Sequence, residues 1–146
     1  MARHTQKLRI DEKDREWLAG VFDARATCEV ARMGGKLQPR IRFNAAMPEV
    51  ARAIAEACHL STTLRQWTHP DGKRPTYTLS IAGENAVEMC RLLLPYLRTT
   101  KRQEAGLLAQ YPLWTGPSVP SEMTTRRQEI RDALWSLHGR HHKGAA

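Results

Sequence analysis

The fold of this chain is decided by the stretch Trp17-Leu18-Ala19-Gly20-Val21-Phe22-Asp23-Ala24-Arg25. Its apolar residues recur at the spacing of one helix face, so residues 11–23 are predicted to form an amphipathic helix. Either Asp11 or Asp14 is expected to cap its start. Ala19 and Gly20 leave part of the helix without large side chains, where a second element can approach closely.

Two strands are predicted directly after this helix. Residues from Thr27 to Met33 alternate between apolar and polar, and Gly34-Gly35 is typical of a tight hairpin. The return strand, Gln38 to Asn44, has the clearest alternation in the chain. Ile41 and Phe43 point to one side and the polar residues point to the other. This pattern predicts a sheet with one buried face.

The rest of the chain alternates further helices and strands. Pro48 opens a second helix, where its missing N–H costs nothing. A second hairpin is expected from Thr63 to Trp67 and from Thr76 to Ile81, around a turn at residues 69–72. Further helices are predicted from Gly83-Glu84 to Pro95, from Leu97 to Tyr111, and from Ser121 to about Gly139, with fraying beyond. The order predicts a mixed α+β protein with a mostly antiparallel sheet.

Composition favours an intracellular protein with a polyanionic partner. The chain has 146 residues, 41% of them hydrophobic, and a formal net charge of +8. Basic surfaces favour polyanions because binding releases condensed counterions, although a soluble protein can also simply be basic. No apolar run approaches the roughly 20 residues of a membrane span, and no secretion signal is evident, so we expect a cytoplasmic, nucleoid-associated protein and no membrane partner. Cys28, Cys58 and Cys90 are expected to be reduced, buried thiols.

The chain divides at a proline-rich segment. Residues 112–120 contain three prolines and a glycine and are predicted to be a linker between residues 1–111 and residues 121–146. The last segment is predicted to form a helix with a basic tail. Its apolar stripe of Ile130, Leu134 and Leu137 should pack back on the domain rather than serve mainly as a phosphate contact.

From Leu18 to Arg25 the chain resembles the LAGLIDADG homing endonuclease family, and the likeness extends over roughly residues 15–110. It also includes the strand Arg40-Ile41-Arg42-Phe43-Asn44 and the step Leu94-Pro95-Tyr96-Leu97, which is followed by Lys101, Arg102 and Gln103. The resemblance implies an αββαββα fold whose saddle-shaped sheet lies along the DNA major groove, with the C-terminal helix added. A single motif implies a homodimer joined through helix residues Trp17, Ala19 and Gly20. The alternative, in which the small residues fit the helix against its own sheet, stays open.

The resemblance also implies a set of DNA contacts. Side chains expected to read bases are Gln38, Arg40, Arg42, Asn44, Arg65 and Trp67, with Thr63 beside them; side chains expected to contact phosphates are Lys73, Arg74, Arg98, Lys101 and Arg102. Arginine can donate two hydrogen bonds to guanine, and asparagine or glutamine can pair with adenine. Without the resemblance, an ordinary solvated strand face explains the same row. Glu29 is out of place here, because an acid repels phosphates unless it accepts a bond from cytosine N4.

Catalysis is where the chain departs from the family. The resemblance implies a metal-binding acid at the penultimate motif position, which is Arg25 here, and a guanidinium has no lone pair for a cation. Asp23 is interpreted as a structural cap rather than a metal ligand. The resemblance also implies a polar residue and a basic residue beside the metal site. The polar position falls at Ala46 or Met47, and the basic position falls at Thr100 or, with a one-residue shift, Lys101. We therefore expect no metal, with Mg²⁺ as cofactor if the nuclease is active. Arg25 is alternatively a ligand of the scissile phosphate region.

Four functions follow from these observations. The leading hypothesis is a homodimer that binds double-stranded DNA and cleaves it weakly or not at all. The second is an active homing endonuclease that uses Asp23 or Glu29 as an unusual metal ligand. The third is a maturase-like protein that binds structured intron RNA, since the same basic surface suits RNA. The fourth is a structural α+β protein without a nucleic-acid partner.

Overall fold

The chain folds as a mixed α+β protein, as the alternation of elements predicts. The computed structural model describes residues 6–61, 65–67 and 74–142. In chain order the elements are α1 (Glu12–Arg25), β1 (Ala26–Met33), β2 (Lys36–Ala45), α2 (Pro48–Ala57), β3 (Arg65–Trp67), β4 (Thr76–Ala82), α3 (Glu84–Leu93), a 3₁₀ turn (Leu94–Tyr96), α4 (Lys101–Ala109) and α5 (Ser121–His142). The predicted residues Thr63 and Lys73 and the turn at 69–72 lie outside the described residues.

Helix α1 contains residues 17–25, and it begins and ends within two residues of the predicted range 11–23. Leu18, Ala19 and Phe22 are its buried residues. Asp11 lies at the N-cap with extended backbone, but its side chain makes no capping hydrogen bond. Its carboxylate lies 3.4 Å from His59 Nε2 instead. Asp11, one of the two predicted candidates, is therefore the N-cap residue, but its side chain contacts His59, which lies shortly after α2, and does not cap the helix.

A four-stranded antiparallel sheet forms the centre of the fold, in the order β1-β2-β4-β3. β1 and β2 pair without interruption from Ala26 opposite Phe43 to Met33 opposite Lys36. The two-residue turn between them needs positive φ at both positions, and Gly34 and Gly35 have φ values of 57° and 81°. β2 therefore begins two residues earlier than the alternation predicts.

The helices α1 to α4 cover one face of the sheet. Apolar residues of the strands alternate into this core, among them Cys28, Val30, Ile41, Phe43, Leu79 and Ile81. The ring of Phe22 on α1 packs edge-on against Phe43 on β2, with centroids 5.9 Å apart. Each fully buried side chain of this size contributes about 1.5–3 kcal/mol. Burial on one side of every strand fixes the register and leaves the polar side chains on the other face.

The segment after Pro95 differs from its prediction. One helix from Leu97 to Tyr111 is expected from the sequence, but α4 spans only Lys101–Ala109. Leu97 has extended backbone with φ −77° and ψ 141°. The carboxylate of Asp23 binds the backbone N–H groups of residues 98 and 99, and these distant hydrogen bonds hold the segment between Leu97 and α4.

Helix α5 packs back on the domain, as its apolar stripe predicts. Ile130 and Leu134 are fully buried, and Leu137 is half-buried. Arg131 Nε donates to the carbonyl oxygen of Val30 at the edge of the sheet, over 3.3 Å. The helix runs to His142 rather than ending near Gly139.

All three cysteines are free and buried, as predicted. Burial raises the pKa of Cys58 to about 12, so its thiol is protonated at physiological pH. Within the described part of the chain, no helix combines the length and the apolar character that crossing a membrane requires.

Candidate nucleic-acid interface

The face of the sheet opposite helices α1 to α4 is lined by polar and charged side chains, and is called the open face below. Directly paired residues of antiparallel strands share a face, so the register fixes its members. They are Thr27, Glu29 and Ala31 on β1, Gln38, Arg40, Arg42 and Asn44 on β2, Thr78, Ser80 and Ala82 on β4, and Arg65 on β3. Thus the four predicted reading residues of β2 do lie together on one face.

Two of these arginines converge on one carboxylate. Arg40 donates from Nε to Glu29 Oε1 over 2.7 Å, and its Nη2 is also 2.7 Å from that oxygen. Arg42 Nε lies 2.8 Å from the same atom, although the contact is not aligned as a hydrogen bond. From the sequence alone, an acid at position 29 is unexpected on a surface that faces DNA. In the structure, the Glu29 carboxylate holds the two guanidinium groups.

Asn44 is oriented by its neighbour on β4. Thr78 Oγ1 donates to Asn44 Oδ1 over 2.9 Å. The amide is itself exposed at the surface of the sheet. Because its Oδ1 accepts this bond, the Asn44 amide is fixed and its NH₂ group points in a defined direction. Discrimination between base edges requires donors that are oriented in this way.

The outer strand supplies the other predicted reading positions. Arg65 is exposed and pairs with Thr78, and residue 67 pairs with Thr76. Arg74 lies before β4 and is exposed. The open face therefore extends across all four strands, from the edge that α5 contacts to the edge formed by β3.

The end of α1 brings the two motif residues into different environments. Arg25 is the last residue of the helix and is exposed. Asp23 accepts hydrogen bonds from the backbone N–H of Arg98 over 2.9 Å and from Thr99 N and Oγ1 over 3.1 and 2.7 Å. Asp23 thus has a capping role, but it caps the segment before α4 rather than its own helix.

The pKa of Asp23 reflects these contacts. Burial alone would raise the pKa of this carboxyl group, but the hydrogen bonds from Thr99 and from the backbone of Arg98 and Thr99 outweigh burial. The nearby charge of Arg98 acts in the same direction, so the pKa lies below its ordinary value. Hydrogen bonds to the charged form stabilise the carboxylate.

Lys101 is engaged in an ion pair inside α4. Its Nζ lies 3.2 Å from Glu104 Oε2, and only 8% of the Glu104 side chain is exposed. The other oxygen of Glu104 is 2.9 Å from His138 Nε2 and 3.3 Å from Cys28 N. Sequence patterns did not indicate this cluster, because His138 and Cys28 are 34 and 76 residues from Glu104 along the chain.

The residues around Arg25 do not fit a metal ion. In the described ranges no group of three histidine, cysteine, aspartate or glutamate side chains is arranged to hold one. Arg25 offers no lone pair, and both oxygens of Asp23 accept hydrogen bonds. The side chains of Ala46 and Met47, where a supporting polar group was expected, are apolar.

A cleft of about 900 Å³ adjoins the open face where α5 passes the edge of β1. Its walls include Arg40 and Arg42 from the sheet and Arg131, Trp135 and His138 from α5. The Trp135 side chain is 73% exposed. The apolar stripe of α5 predicted that the helix packs on the domain, but it did not indicate that α5 also forms one wall of this cleft.

The helix positions predicted for a dimer contact separate into two groups. The prediction for Ala19 needs correction, because its side chain is fully buried in the core of the protomer. Trp17 is 47% exposed, and a Cβ added to Gly20 would meet no atom within 4 Å. Exposed residues at positions 13, 17, 20 and 24 follow one stripe of α1.

Solved structures of homing endonucleases share this fold. The homing endonuclease I-CvuI in complex with the I-CreI target, with Mg present and DNA not cleaved, superposes with a TM-score of 0.63 at 17% identity, covering 86% of this chain and 82% of that one. The archaeal intron-encoded homing endonuclease I-Vdi141I, complexed with DNA, gives a TM-score of 0.59 at 16% identity and covers 86% and 85%. No family model and no curated protein matches the sequence. The likeness establishes a LAGLIDADG homing endonuclease fold for this chain.

Proposed function

We propose that this protein binds double-stranded DNA as a homodimer through the open face, and that it cleaves DNA weakly or not at all. The observation that carries the proposal is the row of guanidinium and amide groups at every second residue of β2, beside an arginine where an acid would hold metal. We also propose that the protein is cytoplasmic and associated with the nucleoid, because its partner is DNA.

The geometry of β2 suits the major groove. Alternate residues on a strand are about 6.6 Å apart. The major groove of B-DNA admits a two-stranded β-ribbon, so the outward side chains of β2 can reach several base edges. Arg40 and Arg42 suit guanine, and Gln38 and Asn44 suit adenine.

Exposed cations near the starts of α4 and β4 suit the phosphate backbone. Arg98 and Arg102 flank the start of α4, and Arg74 precedes β4. Contacts of this kind fix the position of a protein on a duplex without carrying sequence information. Lys73 and Trp67, which the sequence also predicts as contacts, are part of the same proposal.

The exposed stripe of α1 supports a twofold dimer. Gly20 and Ala24 allow two helices to approach closely, and half-exposed Trp17 would be covered by a partner. Two open faces related by a twofold axis would read a pseudo-palindromic site.

Weak or absent cleavage is proposed because Arg25 carries a positive charge and no metal-binding lone pair. Arg25 would instead contact the phosphates at the centre of the site. Asp23 supports an active nuclease poorly, since its carboxylate holds Arg98 and Thr99 in place.

A randomised duplex library tests the proposal. Duplexes bound by the protein in EDTA, and again in Mg²⁺ or Mn²⁺, are recovered and sequenced at both ends. We expect enrichment of pseudo-palindromic sequences and intact duplexes under both conditions. Robust double-strand cutting in metal would support the active nuclease, and cutting that Asp23→Ala and Glu29→Ala abolish would identify its ligands. Stronger binding to structured intron RNA than to any recovered duplex would favour the maturase-like role.

A further inference from the structure

Glu29 is an acid on the open face, which is the proposed DNA surface, and its carboxylate contacts two arginines. One oxygen, Oε1, lies within 2.8 Å of nitrogen atoms of both Arg40 and Arg42. The side chains are only partly exposed, at 23% for Glu29, 27% for Arg40 and 39% for Arg42. The three residues therefore form a compact cluster rather than a loose surface ion pair.

The register of the hairpin builds this cluster. Glu29 pairs directly with Arg40, and Thr27 pairs with Arg42. Glu29 is thus opposite one arginine and diagonal to the other, within reach of long side chains. The tight turn at Gly34 and Gly35 fixes this register, because a slip by one residue would turn Glu29 to the other face.

The cluster has two consequences for a polyanionic partner. Glu29 cancels one of the two guanidinium charges, so phosphates of an arbitrary duplex gain less from this part of the surface. It also fixes both side chains before binding, so less conformational entropy is lost when they meet a matching base edge. The first effect weakens binding to any sequence, and the second favours a correct one.

We infer that Glu29 is a positioning residue that sets the sequence selectivity of the open face by holding Arg40 and Arg42 together. The inference rests on the proposed function and concerns this chain's own reading residues. Selectivity here arises from a repulsive element, the carboxylate, together with the attractive guanidinium groups.

The test compares Glu29→Gln with Glu56→Gln. Both variants lose one negative charge, but Glu56 is exposed on α2, on the other side of the sheet. Affinities for a selected duplex and a random duplex are measured from about 50 to about 300 mM salt, a range over which counterion release changes the affinity measurably. We expect Glu29→Gln to bind random duplex about tenfold more tightly near 0.1 M salt, with a salt slope steeper by about one. The ratio of selected to random affinity should fall by a similar factor, while Glu56→Gln leaves that ratio unchanged.

Glu29→Asp separates positioning from charge. The shorter side chain keeps the negative charge but no longer reaches both arginines, so the salt slope should stay at its wild-type value while selectivity falls. The Arg40 Nε–H group donates to Glu29 Oε1, so its NMR signal in the free protein reports the cluster without DNA. This signal should be protected from exchange in the wild type and lose that protection in both variants.

The outcomes distinguish this inference from the proposed function. If the wild type binds no duplex, the proposed function fails and the inference with it. If the wild type is selective and Glu29→Gln and Glu29→Asp are equally selective, the inference alone is overturned. An unprotected Arg40 Nε–H signal in the free wild type would also overturn it.

Discussion

Asp23 Oδ1 accepts two hydrogen bonds from Thr99, one from the backbone nitrogen at 3.1 Å and one from Oγ1 at 2.7 Å. These bonds join the end of α1 to the segment before α4, 76 residues further along the chain. Asp23 thus has a structural role, and Arg25, two residues further along the chain, is exposed.

The Asp23 contact predicts a stability that depends on pH. The pKa of Asp23 is lowered in the folded protein, so its carboxylate contribution is present above the unfolded pKa of about 3.9 and is lost as pH falls through the folded value. Asp23→Asn removes this contribution. We expect the difference in unfolding free energy between wild type and Asp23→Asn to be constant above about pH 5 and to shrink below pH 4. Urea denaturation from pH 3 to pH 7 measures it, and a difference that grows on acidification would contradict the assignment.

The buried cluster at Glu104 predicts a large loss of stability on truncation. Glu104→Ala would leave Lys101 and His138 without their shared partner and Cys28 N without its acceptor. Breaking a buried pair on one side costs about 3–5 kcal/mol. Glu129 is the matched control, because its ion pair with Arg126 is exposed and Glu129→Ala should cost less than about 1 kcal/mol. Equal effects of the two variants in urea denaturation would show that the cluster is not structural.

Truncating two residues of helix α5 should change the unfolding free energy by very different amounts. Ile130 is fully buried, so Ile130→Ala should lower the unfolding free energy by about 2–5 kcal/mol. Trp135 is 73% exposed, so Trp135→Ala should change it by less than about 0.5 kcal/mol. Thermal and urea unfolding check both. Deletion of residues 112–146 should likewise affect stability more than the salt slope of DNA binding, and the reverse order would make α5 chiefly a phosphate contact.

Base reading and phosphate contact predict different signatures at Asn44 and Arg98. Asn44→Ala should weaken the selected duplex by about 1–3 kcal/mol and leave random duplex nearly unchanged, because the amide reads a base edge. Arg98→Ala should weaken both duplexes similarly and reduce the salt slope by about one. Thr78→Val, which removes the donor to Asn44 Oδ1, should lose part of the same selectivity. An Asn44→Ala variant with full selectivity would remove this residue from the reading set.

Local patterns predicted much of the fold. The alternation from Gln38 to Asn44 placed its arginines on one face, and Gly34-Gly35 and Pro48 marked a turn and a helix start that the structure confirms. Each of these depends on neighbouring residues alone. The two-residue turn also fixes the strand register that places Glu29 opposite Arg40. This pairing could therefore have been predicted from the sequence by counting residues from the turn.

Contacts between distant residues were not predictable in this way. The helix expected from Leu97 begins at Lys101, because Leu97 has extended backbone and the next two residues are held by the distant carboxylate of Asp23. Ala19 has the size of an interface residue, and only the packing of α1 shows that it is buried in its own protomer. The Glu104 cluster joins β1, α4 and α5, whose proximity no local periodicity reports.

We propose that two copies of this chain present their open faces to one duplex. Sedimentation velocity of a fluorescently labelled selected duplex, titrated with the protein at low ionic strength, measures this stoichiometry. We expect a single complex whose mass corresponds to two protomers on one duplex. Protomers that sediment alone beside free duplex, at a salt concentration where basic proteins bind DNA, would contradict it.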